Sequence, residues 1–254
     1  MYCSNNTQED AINFLALGLI IPLAACSFSW NGDNEGSGAA AAGSGTTRTF
    51  QVAGFNGIDL RGSDDVDVRV GNGFSVRAEG PSEQLDRLRI ERDGDTLNIG
   101  RKNGASMGWS KGAKVKVYVT LPRLTDASVS GSGNMAVDRV EGGGFEGGIA
   151  GSGNLDIAAI KVDVAKFTIA GSGTAHASGT ARDLTVDIAG SGDLDGTRFE
   201  AQSATVEIAG SGSVRAVVNG AAKVAMLGSG DVDLGPQSRC TISKMGSGRV
   251  RCGR

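Results

Sequence analysis

Between residues 131 and 248 Gly-Ser-Gly occurs seven times, opening at Gly131, Gly151, Gly171, Gly190, Gly210, Gly228 and Gly246 and closing at Gly133, Gly153, Gly173, Gly192, Gly212, Gly230 and Gly248. Successive triplets begin 20, 20, 19, 20, 18 and 18 residues apart. So even a period over seven recurrences calls for one structural unit stacked on itself. The flanks say which unit. Two residues before each triplet stand Val129, Ile149, Ile169, Ile188, Ile208, Met226 and Lys244, and four before it Ala127, Gly147, Phe167, Val186, Val206, Val224 and Ile242. Four residues after the first glycine come Met135, Leu155, Ala175, Leu194, Val214, Val232 and Val250, with mostly polar residues between. Alternation of period two in β-branched residues is the mark of a strand, and a helix would carry these glycines at a high cost. The repeat therefore predicts an all-β fold, a parallel β-solenoid whose coils run 18–20 residues.

The triplets supply 14 of an unusual 41 glycines in 254 residues, where an average protein has about 7 %. With only 4 Pro and no G-X-Y period, collagen is excluded. Each triplet is expected to be a bend where neighbouring coils approach too closely for a Cβ. Seven coils stacked at about 4.8 Å would form a rod about 34 Å long. Cys240 and Cys252 lie on the inward phase, six residues either side of the start of the last triplet. On facing walls of the final coil they are expected to form a disulfide that staples an exposed end.

Residues 48–122 lack the triplet but also read as β. Val66 to Val70 and Lys114 to Val119 alternate, and Asp93-Gly94 signals a hairpin between two such runs. Ser82, after Pro81, is placed to cap a turn or two of helix. Residues 103–112 read as a loop, in which Trp109 is expected to cover the first coil, with an exposed binding aromatic as the alternative. No domain break falls here, so 48–254 is taken as one folded domain with a less regular start.

The chain opens differently. Ala11 to Cys26 is apolar except for Asn13, too short for a comfortable membrane span, and suits the core of a secretion signal. Leu23-Ala24-Ala25-Cys26 resembles the bacterial lipobox, which implies removal of 1–25, lipidation of Cys26 and a lipid anchor in the membrane. Residues 1–10 contain no Lys or Arg, which leaves two readings: a start codon placed too far upstream or a weak signal. Residues 26–47, rich in Gly, Ser, Ala and Asn, are too poor in apolar surface to pack and read as a flexible tether. Cys3 would leave with the signal, so Cys240 and Cys252 remain as an even pair suited to an oxidising compartment.

Charge and side-chain inventory exclude several chemistries. The net charge of −3 gives no reason to expect nucleic-acid binding. Without residues 1–25 the sum is 25 basic against 26 acidic residues, and no overall pull toward an anionic bilayer is expected. A single histidine, His176, leaves no room for a multi-histidine zinc site and makes a Ser-His-Asp enzyme improbable. No general base accompanies the triplet serines. Gly142, Gly144 and Gly147 match a dinucleotide-binding spacing, but no helix follows them. Asp156, Asp193, Asp195, Asp231 and Asp233 lie on the outward phase after the triplets and form a candidate acidic face. Thr174, His176, Ser213 and Arg215 interrupt it, so no metal, cofactor or catalytic residue is assigned.

The opening Phe50-Gln51-Val52-Ala53-Gly54-Phe55-Asn56-Gly57-Ile58 leads to Asp65-Val66-Asp67-Val68 and Asp93-Gly94-Asp95-Thr96-Leu97-Asn98-Ile99. Val119-Thr120-Leu121-Pro122-Arg123-Leu124 follows, and the triplets complete the set. In this order the phrases resemble the head GIN domain family of adhesin-like bacterial envelope proteins, over residues 48–252. The resemblance implies an exported β-helical domain behind a signal or lipid anchor, with no catalytic residues. The expected function is an adhesin-like module binding a glycan or protein through its repetitive surface. A self-associating envelope scaffold is the alternative, and a carboxylate-dependent hydrolase the least favoured. Ser27 after the lipidated position is compatible with the outer membrane.

Overall fold

The computed structural model describes residues 38–102 and 114–253. The apolar segment Ala11–Cys26, Cys26 itself, most of the tether and Trp109 lie outside the described residues. Short elements come first: β1 (Ala41–Ala42), β2 (Thr47–Phe50), β3 (Gly57–Gly62), β4 (Asp65–Val70), β5 (Ser75–Glu79), α1 (Ser82–Asp86), β6 (Leu88–Asp93), β7 (Thr96–Arg101) and β8 (Lys116–Leu121). The repeat follows as β9 (Asp126–Gly131), β10 (Asn134–Val137), β11 (Val140–Gly151), β12 (Asn154–Gly171), β13 (Thr174–Gly190) and β14 (Asp193–Gly210). It ends in β15 (Val214–Val218), β16 (Ala221–Gly228), β17 (Asp231–Asp233), β18 (Arg239–Met245) and β19 (Arg249–Arg251).

From β9 onward every pairing is parallel, and each residue sits over its counterpart one coil earlier, as Phe167 over Gly147 and Ile169 over Ile149. This is the parallel β-solenoid that the period implies; its seven triplets bound six complete turns. The variation in period is absorbed away from the triplets. Pairing slips between Ile157 and Ile160, and again between Gly196 and Glu200, while the wall leading into each triplet stays in register.

Alternate residues stack into inward columns. Val129, Ile149, Ile169, Ile188, Ile208 and Met226 form one, all at most 3 % exposed. Phe145, Phe167 and Phe199 form a second line, with ring centroids 6.1 and 6.4 Å apart in edge-to-face contact. Gly147 belongs to this packing: a Cβ there would stand 2.8 Å from Cδ1 of Phe167. Among the described residues the core and the strand pairings lie within residues 39–251, inside the compact unit Ser37–Arg254.

The first coil precedes the triplets. β3 and β4 pair with β9 and β10, aligning Gly62 with Gly131 and Asp65 with Asn134. Gly62-Ser63-Asp64 is thus an eighth bend in which aspartate replaces the second glycine. On its other side lie β7, ending at Arg101, and β8, beginning at Lys116, rather than a triplet, and the aspartate side chain reaches the ends of both. The Asp64 carboxylate, 2 % exposed, accepts from Arg101 Nε at 2.8 Å and from the Val115 amide at 3.1 Å. Arg101 also donates to the backbone and side-chain oxygens of Gln84, both at 3.0 Å, which ties α1 over the end of the core. Further strands widen this end: β7 and β8 pair with β3 and β4, and β6, β5 and β2 add antiparallel.

Two expectations are corrected here. Ser82 makes no capping hydrogen bond; Pro81 is the N-cap residue, and its carbonyl accepts from the Gln84 and Leu85 amides. Order also begins earlier than residue 48: Ala41 and Ala42 pair with Phe50 and Thr49, and the Ala39 amide donates to Ile90 O at 2.8 Å. The unpaired edge of β2 supplies partners for a segment too apolar-poor to order itself.

Candidate binding surface

The triplet corner is built from backbone. In each repeat the serine is exposed and the second glycine is buried. The Gly151 carbonyl accepts both the Ser172 amide at 2.8 Å and the Gly173 amide at 3.1 Å, and Gly131 does the same for Ser152 and Gly153. One oxygen serving two donors of the next coil draws the chains together. The first glycine is turned to positive φ (+123° at Gly171), and a Cβ there would fall on the Gly151 carbonyl. The second has no such φ, but its Cβ would strike the Gly153 carbonyl and Ile149 Cγ2. Glycine is thus required by close approach, leaving a row of serine hydroxyls at the corner, of which Ser229 and Ser247 lie 3.1 Å apart.

Beside the serines run two outward columns, one residue per coil. The first holds Asp65, Asn134, Asn154, Thr174, Asp193, Ser213, Asp231 and Arg249; the second holds Asp67, Ala136, Asp156, His176, Asp195, Arg215, Asp233 and Arg251. Partners follow from the stacking. Asn154 donates to Asn134 at 2.9 Å, and Asn134 to Asp65 at 2.8 Å. Half-exposed His176 lies between Asp156 at 4.0 Å and Asp195 at 3.7 Å. Arg249 meets Asp231 at 3.1 Å, and Arg251 meets Asp233 at 3.8 Å.

The candidate acidic face is therefore not continuous. Asp156, Asp195, Asp231 and Asp233 each face a basic side chain one coil away, while Asp193 accepts the Ser213 amide at 2.7 Å. The Thr197 amide holds the Asp195 carboxyl below the usual range, with His176 and Arg215 adding to it. Arg249 does the same for Asp231. Among the described residues no three acidic, histidine or cysteine side chains converge as a metal site would need.

Two depressions lie on the opposite side of the triplets, on the wall leading into them. The first, about 420 Å³, opens over the first coils. Asp93, Asp126 and Glu146 border it, together with the paired Asp59 and Arg61, and Thr96, Asn98, Ser128 and Thr168 supply hydroxyl and amide groups. Gly148 deepens its floor, standing where the adjacent coils carry Ser128 and Thr168. The second, about 820 Å³, is a more apolar trough along Ala170, Ala189, Ala209, Leu227 and Met245, with Asp187 and Glu207 beside it. Neither was legible before the register was known, since each draws residues from four or more coils.

Cys240 and Cys252 are bridged, with Cα atoms 6.1 Å apart, across the final coil. No helix among the described residues is long and apolar enough to cross a membrane.

A family model described as "Putative auto-transporter adhesin, head GIN domain" matches residues 54–251. The chain belongs to the head GIN domain family. Solved structures with this domain's fold include a putative adhesin from Bacteroides fragilis, 19 % identical with a TM-score of 0.72 over 81 % of this chain and 95 % of that one. A putative adhesin from Parabacteroides merdae is 17 % identical, with a TM-score of 0.65 over 82 % and 96 % of the two chains. A putative lipid binding protein from Parabacteroides distasonis is 21 % identical, with a TM-score of 0.65 over 84 % and 98 %. No curated protein matches significantly. At these identities the likeness establishes the head GIN fold alone.

Proposed function

We propose that this head GIN domain is a non-catalytic, adhesin-like binding module of the bacterial cell envelope. Residues 1–25 direct export, Cys26 carries the lipid, and the following segment holds the solenoid off an outer membrane. The ligand is a glycan or a protein. One observation carries the reading: register stacking sets serine, asparagine and aspartate groups in straight columns, one per coil. Repeated weak contacts at a fixed spacing suit a repetitive ligand, because each contact raises the effective concentration for the next. The polar groove of about 420 Å³ beside Asn98 and Ser128 adds one deeper contact point on the same body. Family membership and the adhesin descriptions of the structural neighbours support the same reading.

Protease shaving of intact cells tests display, with a periplasmic protein as control. Loss of the domain while the control survives is expected, together with release of the protein to the soluble fraction by Cys26→Ser. Protection in intact cells, lost on permeabilising the outer membrane, would replace the adhesin reading with an envelope scaffold. If the domain is outside, a glycan array probed with residues 37–254 should give binding that Ser128→Tyr, which fills the groove, reduces.

A further inference from the structure

We propose that the C-terminal end of the solenoid docks end-on against an anionic membrane surface. The proposal does not depend on the lipid anchor, since it concerns the opposite end of the repeat. Charge is distributed very unevenly along this chain. Residues 236–254 contain five basic residues and no acidic one, in a chain whose net charge is −3. Arg239, Lys244, Arg249 and Arg251 are all exposed in the last described coil. The coil beneath adds Lys223 and two acids, Asp231 and Asp233, both engaged by Arg249 and Arg251. Glu207 and Asp187 lie two and three coils back from Ser243 on the same wall. The balanced total thus hides a cationic end, contrary to the expectation drawn from net charge.

The same end exposes apolar side chains. Met245 is 72 % exposed, Leu227 58 % and Ile242 48 %, three of the five large hydrophobic residues exposed among those described. Ile242 continues the inward column of Val206 and Val224, and no described residue packs over it. A coil is only about 4.8 Å thick, so the exposed side chains of the last one lie close to the end plane, within reach of a flat partner. Apolar groups ringed by Lys and Arg are what an anionic bilayer surface binds, through headgroup charge and shallow insertion.

Two other occupants fit worse. Lys244 stands in the inward column of Ile188, Ile208 and Met226 and donates to Gly248 O at 2.7 Å. A strand added to β18 would bury that ammonium, which is how natural sheet edges resist pairing. A planar surface instead lets the lysine reach lipid phosphates along its stem. A second copy meeting end to end would bring two cationic coils together.

The test is co-sedimentation of disulfide-bonded residues 37–254 with vesicles of phosphatidylcholine, with and without phosphatidylglycerol. The domain should bind only the anionic vesicles and release at about 0.5 M salt, where screening lengths fall to a few ångströms. Arg239→Glu with Lys244→Glu should weaken binding at least tenfold, since each cation counts for roughly fivefold at such a surface. Lys161→Glu, on an exposed mid-solenoid position, should leave it unchanged, and thermal melting should show all variants folded. Absent binding to anionic vesicles, equal binding to neutral ones, or an unaffected double variant would overturn the proposal. End-to-end dimerisation in sedimentation velocity, abolished by the double variant, would overturn it in favour of a second copy.

Discussion

Gly173→Ala isolates the reason for the repeat, because it adds one methyl group without demanding a strained backbone. A Cβ at this position would stand 2.6 Å from Ile149 Cγ2 and closer still to the Gly153 carbonyl oxygen. Neither can withdraw easily. Ile149 is 3 % exposed within the core column, and Gly153 O accepts the Thr174 amide at 3.3 Å in the ladder between coils. Overpacking a close-packed site costs about 1–3 kcal/mol, and a weakened inter-coil hydrogen bond about 1 kcal/mol more. The expected loss is therefore about 2–4 kcal/mol. At roughly 2–4 °C per kcal/mol for a domain of this size, the midpoint should fall by about 4–16 °C. Thermal melting of residues 37–254, supported by urea titration, reads it directly. Ser172→Ala, one residue away and exposed, should stay within about 0.5 kcal/mol of the parent. If Gly173→Ala is equally silent, close coil approach is not what selects glycine, and the triplets would have to be explained by contact with a ligand.

Other perturbations probe the two ends and the outward columns. Replacing Cys240 and Cys252 by serine opens a loop with a sequence separation of 12 and should cost about 3 kcal/mol; thiol labelling of the parent should require reduction first. Asp64→Ala removes the buried partner of Arg101 and should cost about 3 kcal/mol, measured by urea unfolding, whereas a merely superficial pair would cost less than 1. Phe167→Ala empties the middle of the phenylalanine line and should cost about 3–5 kcal/mol. Asp183, Asp195 and Asp231 are held below the ordinary carboxylate range, chiefly by Ser203, the Thr197 amide and Arg249 respectively. Their contribution is complete above their unfolded pKa, near 4, and is lost as pH falls through the lowered values. Asn substitution at all three should therefore flatten acid destabilisation below about pH 4, and an unchanged acid limb would refute it.

What could be read beforehand follows from where each constraint resides. The triplets repeat a backbone requirement, so their spacing and the alternation around them were sufficient for the solenoid, and the inward phase of Cys240 and Cys252 for the disulfide. Gly62-Ser63-Asp64 escaped because no triplet stacks on its other side: β7 and β8 lie there, aspartate stands where the second glycine does, and its Arg101 partner lies 37 residues away. The one available signal was Asp65-Val66-Asp67-Val68, which sits three residues after Gly62 as Asn134 and its successors sit after Gly131. His176 and Arg215 already interrupt the outward aspartates in the linear sequence, but that Arg249 and Arg251, 18 positions on, stack beside Asp231 and Asp233 emerges only from the register. Lys244 is the converse case. Its place in the inward column was plain from the spacing, but its meaning depends on its being in the last described coil, beside Ile242 and Met245. A repeat therefore exposes what its coils share, while the residues that distinguish one coil from the next acquire their roles only from position along the stack. The groove beside Asp59 and Gly148 and the end at Lys244 are built from those differences, while the triplets hold their coils in register.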